Sequence, residues 1–415
     1  MARTDVIVLG AGIVGTSTAV HLAKRGLAVA LVDRGGAGEG TSYGNAGIIE
    51  GNTIFPAAFP SDWATLFRIA LKRSPLANYH LAFLPQVAPW LFAFRAASQP
   101  ARLVETAQLM RPLFARAVAE HDALSTEAGA AKYLRRTGWL KLYRSEKAFA
   151  GLKRELDLAA SFGIANVALE PDAARALEPS LRPVFRHAVH WTGAVSVSNP
   201  LALTRAYAAR FAALGGLSFA GDARSLHRSA SHWRVDTAAG PLDAENVVIA
   251  LGPWLPDLLA PLGIKLPFAV KRGYHRHFHP QGNAALARPV LDADNGYVLA
   301  PMEQGIRLTT GVEFAARDAP PTPRQMRFVT PAARTLFPLG EAVEVQPWLG
   351  ARPCFPDSRP IIGRTPGQAG LWLTCGHAHW GLTLGPATGR LVAEMMTGAT
   401  PFCDPQPYGA ERFLQ

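Results

Sequence analysis

Cysteine is scarce in this chain. There are three in 415 residues, Cys354, Cys375 and Cys403, all widely spaced. They form neither a C-x-x-C pair nor an even-numbered set, which excludes a disulfide scaffold and points to a reduced compartment. Charge is sparse too, at 18% of residues, and uneven: 42 Lys and Arg against 31 Asp and Glu give a net +11. The basic residues are scattered, with no basic run interleaved with aromatics, so no nucleic-acid partner is expected. The positive sign suits an anionic membrane surface or an acidic substrate. No apolar run is long enough to span a bilayer cleanly. The most apolar stretch, 76–97, contains His80, Pro85, Gln86 and Pro89. The start of the chain lacks the succession of a basic region, an apolar stretch and a cleavage site, so no cleaved leader is expected. A cytoplasmic protein is the reading, with peripheral contact to the inner face of the membrane through 53–100 as its extension. Repeats and low-complexity tracts are also missing. What remains is 49% hydrophobic over 415 residues, a folded chain too long for one ordinary core.

The first 33 residues carry the densest signal. Thr4 to Leu9 is a short apolar run with β-branched residues and reads as a buried strand. Gly10-Ala11-Gly12-Ile13-Val14-Gly15 follows as G-x-G-x-x-G, then an alanine-rich helical pattern runs from Ile13 to Arg25. Leu27 to Val32 is a second apolar strand, closed by Asp33. This order is what a dinucleotide-binding βαβ unit requires. Gly10 permits the tight turn, Gly12 the approach of a pyrophosphate, and Gly15 close helix–strand packing. The helix N-terminus offers N–H groups and a positive dipole end to phosphate. Asp33 can accept hydrogen bonds from ribose hydroxyls.

Further along, residues 53–130 hold apolar helical stretches broken by prolines. Gly138–Arg144 reads as a strand and Glu146–Phe162 as a helix, while Pro200–Leu214 is a helix with Asn199 as its N-cap. Strands are expected at 217–219, 233–235 and 246–251. Period-two alternation from Phe268 to Glu313 predicts an antiparallel sheet. A helix at 323–337, a strand at 371–374 and a last long helix at 383–396 complete the pattern. The fold class is therefore α/β: a Rossmann-like nucleotide-binding domain with a second, α+β domain, both discontinuous. Residues 1–52, 194–258 and 351–415 are assigned to the first domain, and 53–193 and 259–350 to the second.

Three motifs now resemble one family, the FAD-dependent D-amino acid oxidases and dehydrogenases, which include glycine and sarcosine oxidases. The first is Gly10 to Asp33 with Gly40-Thr41-Ser42-Tyr43-Gly44-Asn45-Ala46-Gly47. The second is Val248 to Trp254, ending in A-x-G-x-W. The third is Gly350-Ala351-Arg352-Pro353, then Pro356 to Gly363, then Gly376 to Pro386. The N-A-G loop and the long apolar insertion after it are most similar to bacterial D-amino acid dehydrogenases. The resemblance implies FAD, held by Gly10, Gly12, Ile13, Val14, Gly15, Asp33, Arg34, Thr41, Ser42, Asn45, Ala46, Gly47, Ala223, Ala250, Gly252, Trp254, Gly376, His379, Gly381, Leu382 and Thr383. It also implies hydride transfer from the Cα of a D-amino acid or cyclic D-imino acid to the flavin, with electrons passing to a quinone or another carrier.

Such chemistry needs the substrate carboxylate fixed and the Cα–H aimed at the ring; the cofactor supplies the electronics. Arg352 is the candidate carboxylate anchor, because a planar guanidinium binds a carboxylate through two hydrogen bonds. An ion pair with Asp357 is its bland alternative. Tyr274 and His275 are further candidates, and one of His377 and His379 is expected near the ring. His275, His277 and His279 alternate, yet hydrogen-bonded or solvated histidines are expected there and no metal. Lys271-Arg272-Gly273-Tyr274-His275 is more basic than a site for neutral amino acids needs. Rival readings are a secondary-amine enzyme for N-methyl amino acids (with Cys354 as a point of covalent attachment), an electron-relay subunit, and an NAD-dependent dehydrogenase.

Overall fold

In the computed structural model, which describes residues 2–51, 56–229 and 231–414, the opening apolar run forms the strand Ala2–Leu9. It lies between two parallel neighbours, Val29–Asp33 and Gly240–Ile249. Both edges are paired and both faces covered, which is why Val6 to Leu9 are all apolar and all buried. Leu217–Ala220 extends the sheet beyond Val29–Asp33, and Leu371–Cys375 runs parallel to the end of Gly240–Ile249. The chain thus leaves this sheet after Asp33, returns at 217, leaves again after 249 and returns at 361. The helix Ile13–Ala23 is buried along most of its circumference, between this sheet and the last long helix, Gly381–Met396. The two helices meet backbone to backbone. A Cβ on Gly389 would lie 2.7 Å from the main chain of Ser17, so only glycine allows the approach.

The second layer is an eleven-stranded mixed sheet centred on Ala269–Pro280. Gly305–Thr309 and Trp348–Cys354 pair antiparallel with it. Trp348–Cys354 matches residues 269–275 along its whole length, so the boundary drawn at 351 falls inside a strand of the second layer. The sheet itself carries Arg352 out toward the first layer. Val195–Val197 lies outside the large parallel sheet and joins Ile48–Ile49, assigned like it to the first domain, to Leu134–Arg135 of the second in a small third sheet. The boundary drawn at 52/53 lies outside the described residues.

The apolar stretch 76–97 is not one helix. Ala77–Tyr79 is a strand beside Val312–Phe314, and the helix Leu84–Ala97 follows with Pro85 in its first turn. Its Trp90 and Phe94 are buried while Phe92 is exposed. The segment 146–162 divides at Gly151 into Glu146–Ala150 and Lys153–Ser161. Pro200–Ala213 is capped as expected, the Asn199 side chain accepting the Ala202 N–H at 3.0 Å. Among the described residues no helix is long and apolar enough to cross a membrane.

Candidate active site

Between the two sheets runs a cavity of about 600 Å³. One end is built by the glycine turn. Gly10 has φ +105°, and a Cβ there would lie 2.5 Å from the Ala250 carbonyl oxygen. Gly12, Ile13 and Val14 face the cavity, whereas Gly15 packs beneath Gly10, where a Cβ would meet its carbonyl. Asp33 holds this end together: its carboxylate accepts the Ala11 N–H at 2.6 Å and the Gly35 N–H at 2.8 Å. Arg34 lies 4.5 Å over the Trp254 ring, and with Ala223, Ala250 and Gly252 they form the surrounding wall. A turn with no room for a side chain at Gly10 or Gly15, a helix N-terminus aimed into the cavity and an acid at the next strand end fit the adenosine diphosphate half of FAD.

The middle is formed by the 41–47 loop. Ser42 Oγ accepts the Ile13 N–H at 2.9 Å, Thr41 Oγ1 donates to the Ala351 carbonyl at 2.8 Å, and Asn45 Nδ2 donates to the His379 carbonyl at 3.1 Å. Thr41, Ser42, Asn45 and Ala46 line the cavity, as do Gly376, Gly381 and Leu382 opposite. Gly47 does not; its carbonyl accepts the Val197 N–H at 2.7 Å. Thr383 is also turned away, its hydroxyl donating to the Ile48 carbonyl at 3.1 Å. From behind, Arg307 donates to the carbonyls of Tyr43 at 2.8 Å and Asn45 at 2.6 Å, fixing the loop.

At the other end stand Arg352, Lys271, His379 and Cys354. The Arg352 guanidinium donates to the carbonyls of Thr310 at 3.2 Å and Gly311 at 3.3 Å. Among the described residues no carboxylate pairs with it. Asp357 is engaged by Arg359 and Arg412. Room for the guanidinium comes from Gly273, where a Cβ would lie 2.6 Å from Arg352 Nη1. The His379 side chain is exposed along the cavity but enclosed by protein. That enclosure, with Arg352 and Lys271 beside it, lowers its pKa to about 3. His377 is buried, with Nε2 3.0 Å from Thr388 Oγ1, and serves the packing of the last helix. Burial pushes the Cys354 thiol up, and Sγ donates to the Arg352 carbonyl at 3.4 Å.

Two expectations are corrected. The Tyr274 hydroxyl is committed to a buried network: it donates to Glu313 at 2.8 Å and accepts the Thr322 N–H at 2.7 Å. Arg272 belongs to the same network, 2.7 Å from Glu313 with both side chains fully buried. Both groups are spent on that network. His275 lies behind the cavity wall, stacked on Trp348 at 4.8 Å, and burial lowers its pKa to about 2. It and His277 are buried, not solvated. His275, His277 and Glu344 bring ligand atoms within 4.8 Å of one another. The Arg307 guanidinium, however, donates to His277 Nε2 at 2.9 Å, so a cation already occupies that cluster.

Three residues escaped the sequence reading. Lys271 was noted only as part of a basic run. Arg307 carried no signal, since its partners are backbone carbonyls 262 and 264 residues away. His121 bridges Tyr207, at 2.9 Å, and the Leu382 carbonyl, at 2.7 Å, and so ties three helices together at the mouth of the last one.

A family model described as FAD dependent oxidoreductase matches residues 5–395. A D-amino acid dehydrogenase from Paramagnetospirillum magneticum is 32% identical over 420 residues, covering 98% of each chain. A D-amino-acid oxidase from Bradyrhizobium diazoefficiens is 29% identical over 420 residues, covering 99% of each. Among solved structures, glycine oxidase from Geobacillus kaustophilus matches with a TM-score of 0.75 at 25% identity, over 99% of this chain and 98% of that one.

Proposed function

The chain belongs to the FAD dependent oxidoreductase family, and from that premise we propose that it deaminates a D-amino acid, or dehydrogenates a cyclic D-imino acid, with FAD as its cofactor. One observation carries the reading: a single cavity joins the dinucleotide turn at Gly10–Gly15 to an arginine that no carboxylate among the described residues neutralises. FAD, when bound, supplies the two-electron acceptor for the hydride that the substrate gives up at Cα. The amine also loses a proton, and the resulting imine hydrolyses to a 2-oxo acid and ammonia or stays cyclic. Arg352 would hold the substrate carboxylate by two charge-assisted hydrogen bonds, which fixes the orientation of Cα. The N-terminal turn of Gly381–Met396, with Gly381 and Leu382 on the cavity, would place a positive dipole end against the cofactor edge that gains charge. The 41–47 loop would close the other side and exclude water.

The test is the anaerobic visible spectrum of the purified protein with a panel of D- and L-amino acids, D-proline derivatives and sarcosine. Flavin bands bleached by D-substrates support the reading. Bleaching by sarcosine alone assigns a secondary amine instead, and bands that nothing bleaches overturn it.

Neither histidine of the cavity is a strong base. His377 and His379 have pKa values lowered to about 3, chiefly by burial, so both are neutral above about pH 4. Between pH 5 and 9 kcat/KM is therefore expected to rise as the substrate ammonium loses its own proton. Two substrates with different amine pKa values should show limbs displaced by that difference. A limb fixed near pH 6–7 for both would mean that a protein histidine titrates.

For the electrons, we assign a quinone or another carrier as acceptor and the 53–100 segment as a contact with the membrane face. Residues 53–55 lie outside the described ones. In the remainder, Trp63, Phe67, Leu71, Leu81 and Phe92 are exposed, with Arg68 and Arg73 among them. Apolar side chains beside basic ones suit an anionic bilayer surface. The protein is expected to co-sediment with anionic vesicles and F67S to weaken this several-fold. Equal recovery of both proteins in the supernatant would remove the assignment.

A further inference from the structure

Beside Arg352 at the substrate end of the cavity stands a second strongly basic side chain, Lys271, which the reaction does not use. It is 9% exposed and lies on the cavity wall. In the antiparallel pairing of Ala269–Pro280 with Trp348–Cys354, Lys271 stands directly opposite Arg352. Side chains at such positions leave the same face of a sheet about 4.5–5.5 Å apart at Cβ. Two cations are thus held side by side at the substrate end.

Among the described residues nothing balances the second one. Burial and the Arg352 guanidinium hold the Lys271 pKa below the ordinary lysine value, and the titratable groups that act on it, Cys354 and Arg352, include no carboxylate. The Lys271 Nζ makes no ion pair or hydrogen bond with any of the described residues. Three of the acids at the nucleotide end have partners of their own: Glu39 with Arg205, Asp222 with Arg224, and Asp257 with Arg317. Burying an ammonium beside a guanidinium is costly unless an anion joins them. The faces of Phe94, at 3.8 Å, and Trp90, at 5.0 Å, offset part of the cost and fix the position of the ammonium. Both rings come from the helix Leu84–Ala97.

We propose that this end of the cavity is built for an acidic amino acid of the aspartate or glutamate type, with Arg352 holding the α-carboxylate and Lys271 the side-chain carboxylate. The inference rests on the amino-acid reading above and narrows its substrate class. Two carboxylates separated by two or three carbons span neighbouring cations, and the pair of charges is neutralised when both are bound. A neutral amino acid would leave the Lys271 ammonium buried and unpaired, so discrimination comes from the pocket's own unmet charge.

Calorimetric titration of the FAD-loaded protein with malonate, succinate and glutarate, each against the monocarboxylate of equal carbon number, tests this without turnover. At least one dicarboxylate should bind about 30-fold tighter than its partner, the range expected for one added charge-assisted hydrogen bond. Lys271→Met should bring that ratio to within about threefold, while Lys271→Arg keeps most of it. Flavin content and melting temperature are recorded for each variant, and if Lys271→Met fails to fold, Lys271→Gln replaces it. Equal affinities in the wild type, or a preference that survives loss of the ammonium, overturn the proposal. A flavin that no D-amino acid reduces would sink the deaminase reading but leave this binding result standing. Reduction by D-alanine together with indifference to dicarboxylates would sink this inference alone.

Discussion

Replacing Arg352 by alanine is expected to lower kcat/KM for carboxylate substrates by roughly 30- to 1,000-fold, or ~2–4 kcal/mol, with FAD still bound. The guanidinium stands at the far end of the cavity from the glycine turn, so its loss does not touch the dinucleotide site. Its protein partners are two backbone carbonyls at 3.2 and 3.3 Å, both neutral and both long, which leaves its charge for a ligand. Lysine at the same position keeps the charge but loses the planar fork, and should recover only part of the loss. Since the anchor sets the position of Cα, kcat is expected to fall as well as KM to rise. Steady-state kinetics on Arg352→Ala and Arg352→Lys, with the flavin absorbance of each preparation as control, decide the matter. An unchanged kcat/KM would remove Arg352 from the substrate site.

The second large effect is on stability. Glu313 is fully buried and serves Arg272 at 2.7 Å, the Tyr274 hydroxyl at 2.8 Å, Asn78 Nδ2 at 3.0 Å and the Thr322 hydroxyl. Glu313→Ala leaves the Arg272 guanidinium without its counter-charge in the core, a change that costs about 3–5 kcal/mol where it has been measured. The midpoint of urea unfolding should fall accordingly. The double replacement Arg272→Met with Glu313→Leu should be milder than Glu313→Ala alone, because no orphan charge remains. A double variant less stable than the single one would show that the ion pair itself contributes more than its desolvation costs.

The nucleotide end was legible from residue order alone, because Gly10 and Gly15 answer local steric demands and the acid follows at a fixed remove. The substrate end was not. The strand 269–280 is buried on both faces for most of its length, so no polar–apolar alternation tells which side meets the cavity. Odd positions, Lys271 and Gly273, turn out to face it with Arg352, while Arg272 and the Tyr274 hydroxyl face a core network whose acid lies 41 residues on. Buried polar side chains look like site residues in a sequence, and only their distant partners reveal them as structural. Arg352 was legible because proline follows it in a recognisable motif. Its freedom from Asp357 was not, since that acid is occupied by Arg359 and by Arg412, 55 residues further along.

The contact between Ser17 and Gly389 has a bearing on how the protein is made. Synthesis delivers the glycine turn first and the helix that backs it near the other end of these 415 residues. Until Gly381–Met396 has emerged, the helix Ile13–Ala23 has an uncovered apolar side and the cavity lacks one wall. Cofactor capture is therefore a late event in biogenesis, and a chain stopped short of that helix would accumulate colourless and prone to aggregate, however complete its nucleotide motif.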